Sequence, residues 1–212
     1  MITSTESYIP FAMRKYAALI LFTLLSCSAL LAQNWDIATV HKVNGWNGKF
    51  IHDFSSVVSK TEPYVAFGVP VVMAVVGFAR HDKELQKNAL FVGTSVAGSF
   101  AISYGLKYIV NRDRPYVAHP DLVTAHSTDP APSFPSGHTA SAFALATSLS
   151  MAYPKWYVIA PSALWACSVG VSRLYEGVHY PSDVIAGAAI GVGTTFLSVY
   201  LSRQLSKWLL GE

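Results

Sequence analysis

The feature that most constrains the fold of this 212-residue chain is a series of long stretches without a charged side chain. Six of them follow one another, at residues 16–35, 63–79, 88–106, 130–154, 156–172 and 184–202. Each is about 17 to 25 residues long, the length that an α-helix needs to cross a hydrocarbon core of about 30 Å. A soluble protein can bury one such stretch as a core helix. Six in succession predict an all-α, polytopic transmembrane helical bundle with five to six spans.

The composition agrees with a membrane protein and excludes several other classes. Charged residues make up 13% of the chain, about half of the share typical of soluble domains. Disordered, collagen-like and coiled-coil proteins need far more charge or a strict repeat. The formal net charge is +3 and the basic residues form no run, so we expect no nucleic-acid partner. The two cysteines are too few for a disulfide framework or a structural zinc site.

Residues 1–32 fit either a signal peptide or a first transmembrane span. The basic pair Arg14 and Lys15 precedes an apolar stretch that ends in small residues, as in a secretory signal. Both alternatives leave the residues that follow outside the cytoplasm. Residues 33–62 then form an extracytoplasmic segment, which we expect either to lie along the membrane as an amphipathic helix or to pack over the site. Residues 63–212 hold the remaining spans.

Polar residues are concentrated in three clusters at the ends of otherwise apolar stretches. The first contains Lys107 and Arg114, whose spacing places both cations on one face of a helix. Cations that reach towards the membrane surface at the end of a span show this pattern too. The second cluster is Pro-Ser-Gly-His at 135–138, which has residues typical of a helix start. Free N–H groups at such a start bind anions.

The third cluster combines Arg173 with His179 and Asp183. The histidine and the aspartate are four residues apart, a spacing at which a carboxylate can hold one imidazole N–H within a helical turn. The other ring nitrogen is then free to act as a nucleophile or a base. A purely structural His–Asp pair at the entrance of a span has the same spacing.

Alternating spans bring the three clusters to the same face of the membrane. Three cations and a helix start make a pocket for a dense anion, for which phosphate is the obvious candidate. Two histidines beside that anion can act as nucleophile and acid. We expect no metal ion and no cofactor, because three nearby cations would repel a divalent ion and carboxylates are few.

Together the clusters resemble the three signature motifs of the type 2 phosphatidic acid phosphatase (PAP2) superfamily, in its membrane lipid phosphatase branch. The resemblance extends over about residues 60–205 and includes every motif position in order. These positions are Lys107, Arg114, Pro115, Pro135, Ser136, Gly137, His138, Ser172, Arg173, His179 and Asp183. Residues 63–212 therefore resemble a membrane phosphatase domain of this type.

The resemblance implies metal-independent hydrolysis of a phosphate ester in two steps. His179 would attack phosphorus and form a phosphohistidine, and Asp183 would orient it. His138 would protonate the leaving oxygen and then deprotonate the attacking water. A cationic clamp stabilises the charge that develops on the phosphoryl oxygens. Those oxygens would be bound by Lys107, Arg114, Arg173, Ser136 and Gly137.

We therefore expect a lipid phosphate or pyrophosphate phosphatase in a bacterial cytoplasmic (inner) membrane, with its active site facing the periplasm. Its partners are the bilayer and a membrane lipid phosphate; the family's usual lipids are undecaprenyl pyrophosphate, lipid A and phosphatidylglycerophosphate. A secreted soluble acid phosphatase or a vanadate-dependent haloperoxidase of the same superfamily shares the constellation, but those relatives lack the charge-free spans. The alternative from another class is a non-catalytic anion or lipid transporter, which also carries charged groups within the membrane.

Overall fold

The computed structural model of the protein describes residues 34–210, and every regular element in that range is a helix. The predicted all-α fold is thereby confirmed. The signal peptide or first span predicted for residues 1–32 lies outside the described residues. Of the described residues, 37–210 belong to one compact unit and 34–36 belong to a separate one.

The helices of the described region follow one another with short connections, apart from one long loop. That loop covers residues 119–136 and ends within the second polar cluster, at residues 135–138. In chain order the helices are α1 (34–44), α2 (Lys49–Ala79), α3 (Lys83–Val110), α4 (Pro115–Ala118), α5 (Gly137–Ala152), α6 (Trp156–Tyr175) and α7 (Pro181–Leu210).

Three segments of the described region are long and apolar enough to cross a membrane, and α5 and α6 are not among them. The fourth charge-free stretch is helical only from Gly137 onwards, because prolines precede the helix. With 16 residues, α5 rises only about 24 Å. It contacts α2, α3, α6 and α7, and half of its residues are buried, so its apolar composition reflects burial inside the bundle. The three candidate spans are Lys49–Ala79, Lys83–Ala118 and Pro181–Leu209.

Large apolar side chains cover the outer surfaces of two candidate spans. On α2, Val71 and Phe78 are each 60% exposed, and on α7, Phe196 and Leu197 are 62% and 69% exposed. Bands of this kind are unfavourable in water and are covered by hydrocarbon in a bilayer. The exposed surface therefore supports the membrane-protein interpretation independently of helix length.

Close packing of α5 against α7 fixes the position of the second cluster. A Cβ atom on Gly191 would collide with the carbonyl oxygen of Ala140, and one on Gly187 would lie 2.5 Å from the carbonyl oxygen of Ser136. Glycines one turn apart allow helix backbones to approach in this way. The approach also lets the N–H of Ser136 donate to the carbonyl oxygen of Asp183 at 3.0 Å. The start of α5 is thus held beside the start of α7.

The helix α2 runs without a break through the boundary predicted between residues 62 and 63. The charge-free stretch begins at Pro63 only because Glu62 precedes it. Yet the Glu62 side chain is 2% exposed and lies inside the bundle. Residues 49–62, predicted to belong to a separate extracytoplasmic segment, are the first part of this helix.

Candidate active site

The three polar clusters lie together at one end of the bundle. The first surrounds the end of α3, where Asn111 has a left-handed conformation (φ 48°) and its N–H donates to the carbonyl oxygen of Lys107 at 2.8 Å. The second forms the first turn of α5 and the third forms the connection from α6 to α7. Four residues drawn from all three clusters line a single cavity of about 220 Å³, namely Lys107, Gly137, His138 and His179.

The turn that presents His179 depends on a glycine. Gly177 has a φ of +73°, and a Cβ atom there would lie 2.7 Å from Cγ1 of Val123 and 2.8 Å from the carbonyl oxygen of Thr124. Other residues rarely adopt this conformation, and here they would also clash. The chain can therefore reverse tightly between the end of α6 and His179.

His179 is buried between its carboxylate partner and a cation. Its side chain is 2% exposed, its Nδ1 lies 3.6 Å from Oδ2 of Asp183, and its Nε2 lies 3.4 Å from Nη1 of Arg114. Burial lowers the pKa of the imidazole to about 4, helped by the charges of Arg114 and Lys107, although Asp183 raises it. The ring is therefore neutral near pH 7. A proton on Nδ1, beside the carboxylate, leaves Nε2 as the nucleophilic nitrogen.

Asp183 is fully buried and receives hydrogen bonds from three directions. Nη1 of Arg112 donates to Oδ1 at 2.7 Å, the N–H of Tyr180 donates to Oδ2 at 2.8 Å, and the hydroxyl of Ser133 also donates to Oδ2. The guanidinium of Arg112 lies over the ring of Tyr180, 3.8 Å from its centroid. The predicted His–Asp pair is thus part of a larger network that fixes the carboxylate.

Two of the predicted phosphate-binding cations are held by the loop before α5. Nζ of Lys107 donates to the carbonyl oxygen of Pro132 at 2.5 Å, and Nε of Arg114 donates to that of Ala131 at 2.8 Å. Nη2 of Arg114 also lies 2.6 Å from Oδ2 of Asp129. The loop therefore orders both side chains, and one of its carboxylates is paired with Arg114.

The carboxyl of Asp129 is ionised although it is partly buried. Burial raises its pKa, but the hydrogen bond from the N–H of Ala131 and the charges of Arg114 and Lys107 together bring the pKa below its ordinary value. An internal anion therefore lies at the cationic end of the site.

Arg173 lies on the other side of His138, in a second cavity of about 610 Å³. Its Nη2 pairs with Oε2 of Glu176, and that oxygen also accepts a hydrogen bond from the hydroxyl of Ser59 at 3.1 Å. The third cation of the predicted clamp thus has a carboxylate partner supported by α2. The residues shared by the linings of the two cavities are Pro63, Asp129 and His138.

The two residues predicted to bind phosphate through the start of α5 differ in position. Ser136 is fully buried; its N–H donates to the backbone carbonyl oxygen of Asp183, and its hydroxyl lies 2.8 Å from Oγ1 of Thr139. These groups hold α5 in place, so only Gly137 of the predicted pair lines the smaller cavity. The side chain of His138, which follows, is 31% exposed between the two cavities.

The structure adds three residues to the site that the motif spacing did not indicate, namely Glu62, Arg112 and Asp129. Arg112 is two positions before a motif arginine and Glu62 is the last charge before an apolar stretch, which are the only sequence signals they give. Among the described residues, no group of three or more His, Cys, Asp or Glu side chains could hold a metal ion. The arrangement offers an anion a cationic pocket, an imidazole nucleophile and a second, half-buried imidazole.

Known proteins with similar sequences include two that act on lipid phosphates. The chain is 29% identical over 129 residues to the undecaprenyl-diphosphatase BcrC of Bacillus subtilis, which covers 60% of this chain and 65% of BcrC. It is 38% identical over 79 residues to a lipid A 4'-phosphatase of Bacteroides thetaiotaomicron, which covers 37% of this chain and 35% of that protein. The chain therefore spans less than two thirds of the length of either relative.

A solved structure has a similar fold. The crystal structure of a transmembrane PAP2-type phosphatidylglycerolphosphate phosphatase from Bacillus subtilis superposes with a TM-score of 0.69. The superposition covers 89% of this chain and 96% of that one, at 22% sequence identity. The likeness therefore concerns the helical fold.

Family membership follows from a match that includes all three clusters. The family model of the PAP2 superfamily matches residues 88–207, which is more than half of the 212-residue chain. The matched region extends from α3 to α7 and contains each motif residue that the structure brings to the end of the bundle. The chain is thus a membrane-helix protein of the PAP2 superfamily, as its motifs predicted.

Proposed function

We propose that this protein is a metal-independent lipid phosphate or pyrophosphate phosphatase that acts through a phosphohistidine intermediate. The observation that carries the proposal is the placement of His179, which is neutral and has its Nε2 3.4 Å from Nη1 of Arg114. The ring lines the same cavity as His138 and Lys107. A neutral imidazole beside cations suits attack on a phosphoryl group whose oxygens are held by those cations.

The first step transfers the phosphoryl group to the protein. Nε2 of His179 attacks phosphorus, the bond to the leaving oxygen breaks, and His138 gives its proton to that oxygen. Asp183 keeps the attacking ring in orientation and stabilises the positive charge that the ring gains. The oxygens of the phosphoryl group are bound by Lys107, Arg114, Arg173 and the backbone of Gly137.

The second step returns the free enzyme. His138, now neutral, takes a proton from a water molecule as the water oxygen attacks phosphorus and the bond to His179 breaks. Inorganic phosphate leaves and His138 is again protonated. Each histidine thus ends in the state in which it began, so the residues of the chain complete the cycle themselves.

An apolar wall supports a lipid as the substrate. Phe67 of α2 and Phe100 and Tyr104 of α3 line the cavity that holds His179, and the Phe67 and Phe100 ring centroids are 5.8 Å apart. Phe67 also lines an apolar groove of about 430 Å³ between α2 and α3, which extends to Phe78. A hydrocarbon tail in this groove would place its phosphate among the cations. The undecaprenyl-diphosphatase and lipid A 4'-phosphatase named above support the same class of substrate.

We place the site at the outer face of a bacterial cytoplasmic membrane. Alternation of the spans from a cytoplasmic N-terminus supports this orientation, since it leaves the polar end of the bundle on the periplasmic side. Undecaprenyl pyrophosphate, lipid A and phosphatidylglycerophosphate would all present their phosphates there.

The two alternatives predict different behaviour. A soluble acid phosphatase or haloperoxidase would stay in solution without detergent, which the exposed apolar surfaces of α2 and α7 disfavour. A transporter would keep its function after loss of the nucleophile. Partition of the protein between detergent and water, followed by the activity test below, separates all three.

The test is phosphate release by the detergent-purified protein in the presence of a chelator. Substrates are a prenyl pyrophosphate, lipid A and phosphatidylglycerophosphate, and the variants are His179→Ala and His81→Asn. His81 is an exposed histidine outside the three clusters, with a φ of 54° that asparagine tolerates. We expect chelator-resistant turnover that is lost in His179→Ala and kept in His81→Asn. Turnover that needs a divalent metal, or that survives in His179→Ala, would contradict the mechanism.

A further inference from the structure

Glu62 is a buried carboxylate that lies outside all three motif clusters yet inside the catalytic cavity. It comes from α2, its side chain is 2% exposed, and it lines the 220 Å³ cavity together with His138 and His179. Its Oε1 accepts a hydrogen bond from the hydroxyl of Ser141 at 2.6 Å. Its Oε2 lies 4.0 Å from Nε2 of His138.

A carboxylate in this position is costly unless it has a partner. Removing an ion from water costs several kcal/mol, which must be offset by hydrogen bonds and an opposite charge. Ser141 satisfies one oxygen of Glu62. The other oxygen faces the ring of His138, where an imidazolium would add to the compensating charge of Arg173.

The nearby arginine has a direct carboxylate partner of its own, although its charge also acts on Glu62. Arg173 is paired with Glu176, which Ser59 supports through a hydrogen bond of 3.1 Å. Ser59 and Glu62 are three residues apart, so one face of α2 reaches both partners. Glu176 forms the direct ion pair with Arg173, whereas Oε2 of Glu62 faces His138.

The distance between Glu62 and His138 suits an electrostatic role. At 4.0 Å the contact is longer than a hydrogen bond, so the imidazole nitrogen stays free to donate to a substrate oxygen. Burial and the charge of Arg173 lower the pKa of His138, and a carboxylate at this range acts against that shift because it favours the protonated ring. The charged and titratable groups that act on His138 come from α2, α3, α6, the 119–136 loop and the α6–α7 turn, namely Glu62, Lys107, Arg173, Asp129 and His179.

We propose that Glu62 is a positioning residue for general acid catalysis, whose carboxylate holds His138 in the protonated form that donates to the leaving oxygen. The inference rests on the proposed phosphatase function and deepens it. In the first step the proton moves from His138 to the bridging oxygen, while the bond between that oxygen and phosphorus breaks and the bond from His179 to phosphorus forms. In this step Glu62 acts as the carboxylate and exchanges no proton.

The test compares substrates whose leaving groups differ in their need for a proton. Dodecyl phosphate releases an alkoxide that must be protonated, whereas p-nitrophenyl phosphate releases a stable anion. The variants are Glu62→Gln, which removes the charge and keeps the shape, Glu62→Asp, which keeps the charge, and Asp53→Asn. The last is the same type of change at an exposed position of α2.

We expect Glu62→Gln to lower kcat/KM for dodecyl phosphate by about tenfold to a hundredfold, and that for p-nitrophenyl phosphate by less than about threefold. The alkaline limb of the pH profile of kcat/KM for dodecyl phosphate should shift to lower pH by about one unit or more, because a negative charge beside the general acid is lost. In Glu62→Asp the alkaline limb should stay close to its wild-type pH, and Asp53→Asn should match the wild type in both kcat/KM and pH profile.

Equal losses on the two substrates, or an unmoved alkaline limb in Glu62→Gln, would overturn the inference while leaving the phosphatase itself intact. Absence of any His179-dependent turnover in the wild type would instead overturn the proposed function, and this inference with it. If Glu62→Gln does not fold in detergent, Glu62→Asp carries the test, since withdrawal of the carboxylate should still affect dodecyl phosphate more than p-nitrophenyl phosphate.

Discussion

Arg112 offers a sharp test of how the site is built, because it acts on the catalytic pair without lining the catalytic cavity. Its Nη1 donates to Oδ1 of Asp183 at 2.7 Å and to the hydroxyl of Ser182 at 2.7 Å. Asp183 in turn lies 3.6 Å from Nδ1 of His179. Arg112 is not among the residues that line the 220 Å³ cavity. Replacing it should therefore affect the orientation of the nucleophile more than the binding of the substrate.

The size of the effect follows from the hydrogen bonds that remain. A hydrogen bond to a charged group contributes about 1.5 to 3 kcal/mol, and about 1.4 kcal/mol changes a rate or equilibrium tenfold. Asp183 keeps the N–H of Tyr180 and the hydroxyl of Ser133 as donors in the variant. We therefore expect Arg112→Gln to lower kcat by about tenfold to thirtyfold, with KM changed by less than about threefold.

The assay is initial-rate phosphate release in detergent, with thermal unfolding of each variant as a check on folding. Ser182→Ala is the matched control, because it removes a different hydrogen-bond partner of the same nitrogen and leaves the bond to Asp183. That control should keep kcat within about threefold of the wild type. The reasoning would be refuted by a folded Arg112→Gln variant with wild-type kcat, or by a rise in KM that accounts for the whole loss.

Three further predictions concern the nucleophile, the internal anion and the helix contact. Burial lowers the pKa of His179 to about 4, so the imidazole is neutral above that pH and kcat/KM should fall on the acid side only near pH 4. An acid limb of the pH profile near the ordinary pKa of histidine, about 6.5, would contradict this. Asp129→Asn removes the carboxylate that lies 2.6 Å from Arg114, so the inhibition constant of inorganic phosphate should fall by about threefold to tenfold. An unchanged or raised inhibition constant would show that the Asp129 carboxylate and phosphate do not compete for Arg114. Gly191→Ala should lower the free energy of unfolding by about 1 to 3 kcal/mol, because its Cβ atom would meet α5. Gly193→Ala has open space at its Cβ atom and should be neutral or slightly stabilising when both variants are measured by thermal unfolding.

Several properties of this protein could be predicted from local sequence. The length of an apolar stretch sets whether a helix can cross a bilayer, and the stretches at 63–79, 88–106 and 184–202 all lie within candidate spans. The spacing of His179 and Asp183 places them within one turn, and the structure has them 3.6 Å apart. These relations hold because they depend only on residues that are close together in the chain.

Length alone did not distinguish a lipid-facing helix from one enclosed by other helices. The stretch at 130–154 is free of charge, yet its helix begins at Gly137, has 16 residues and is largely buried by its neighbours. Hydrocarbon and the interior of a helix bundle favour the same apolar residues. Only the packing of α5 shows which of the two surrounds it.

The class of protein, the all-helical fold and the residue types of the site could be predicted from local sequence, because hydrophobic length and motif spacing are properties of contiguous chain. Which charges act on one another depends instead on how the helices pack. Arg112 and Asp183 are 71 residues apart, and Glu62 is 79 residues from Ser141. No spacing rule connects residues at such separations. They meet because α2, α3, α5 and α7 pack into one bundle, where the burial of Glu62 and Asp183 strengthens the polar contacts around the two histidines.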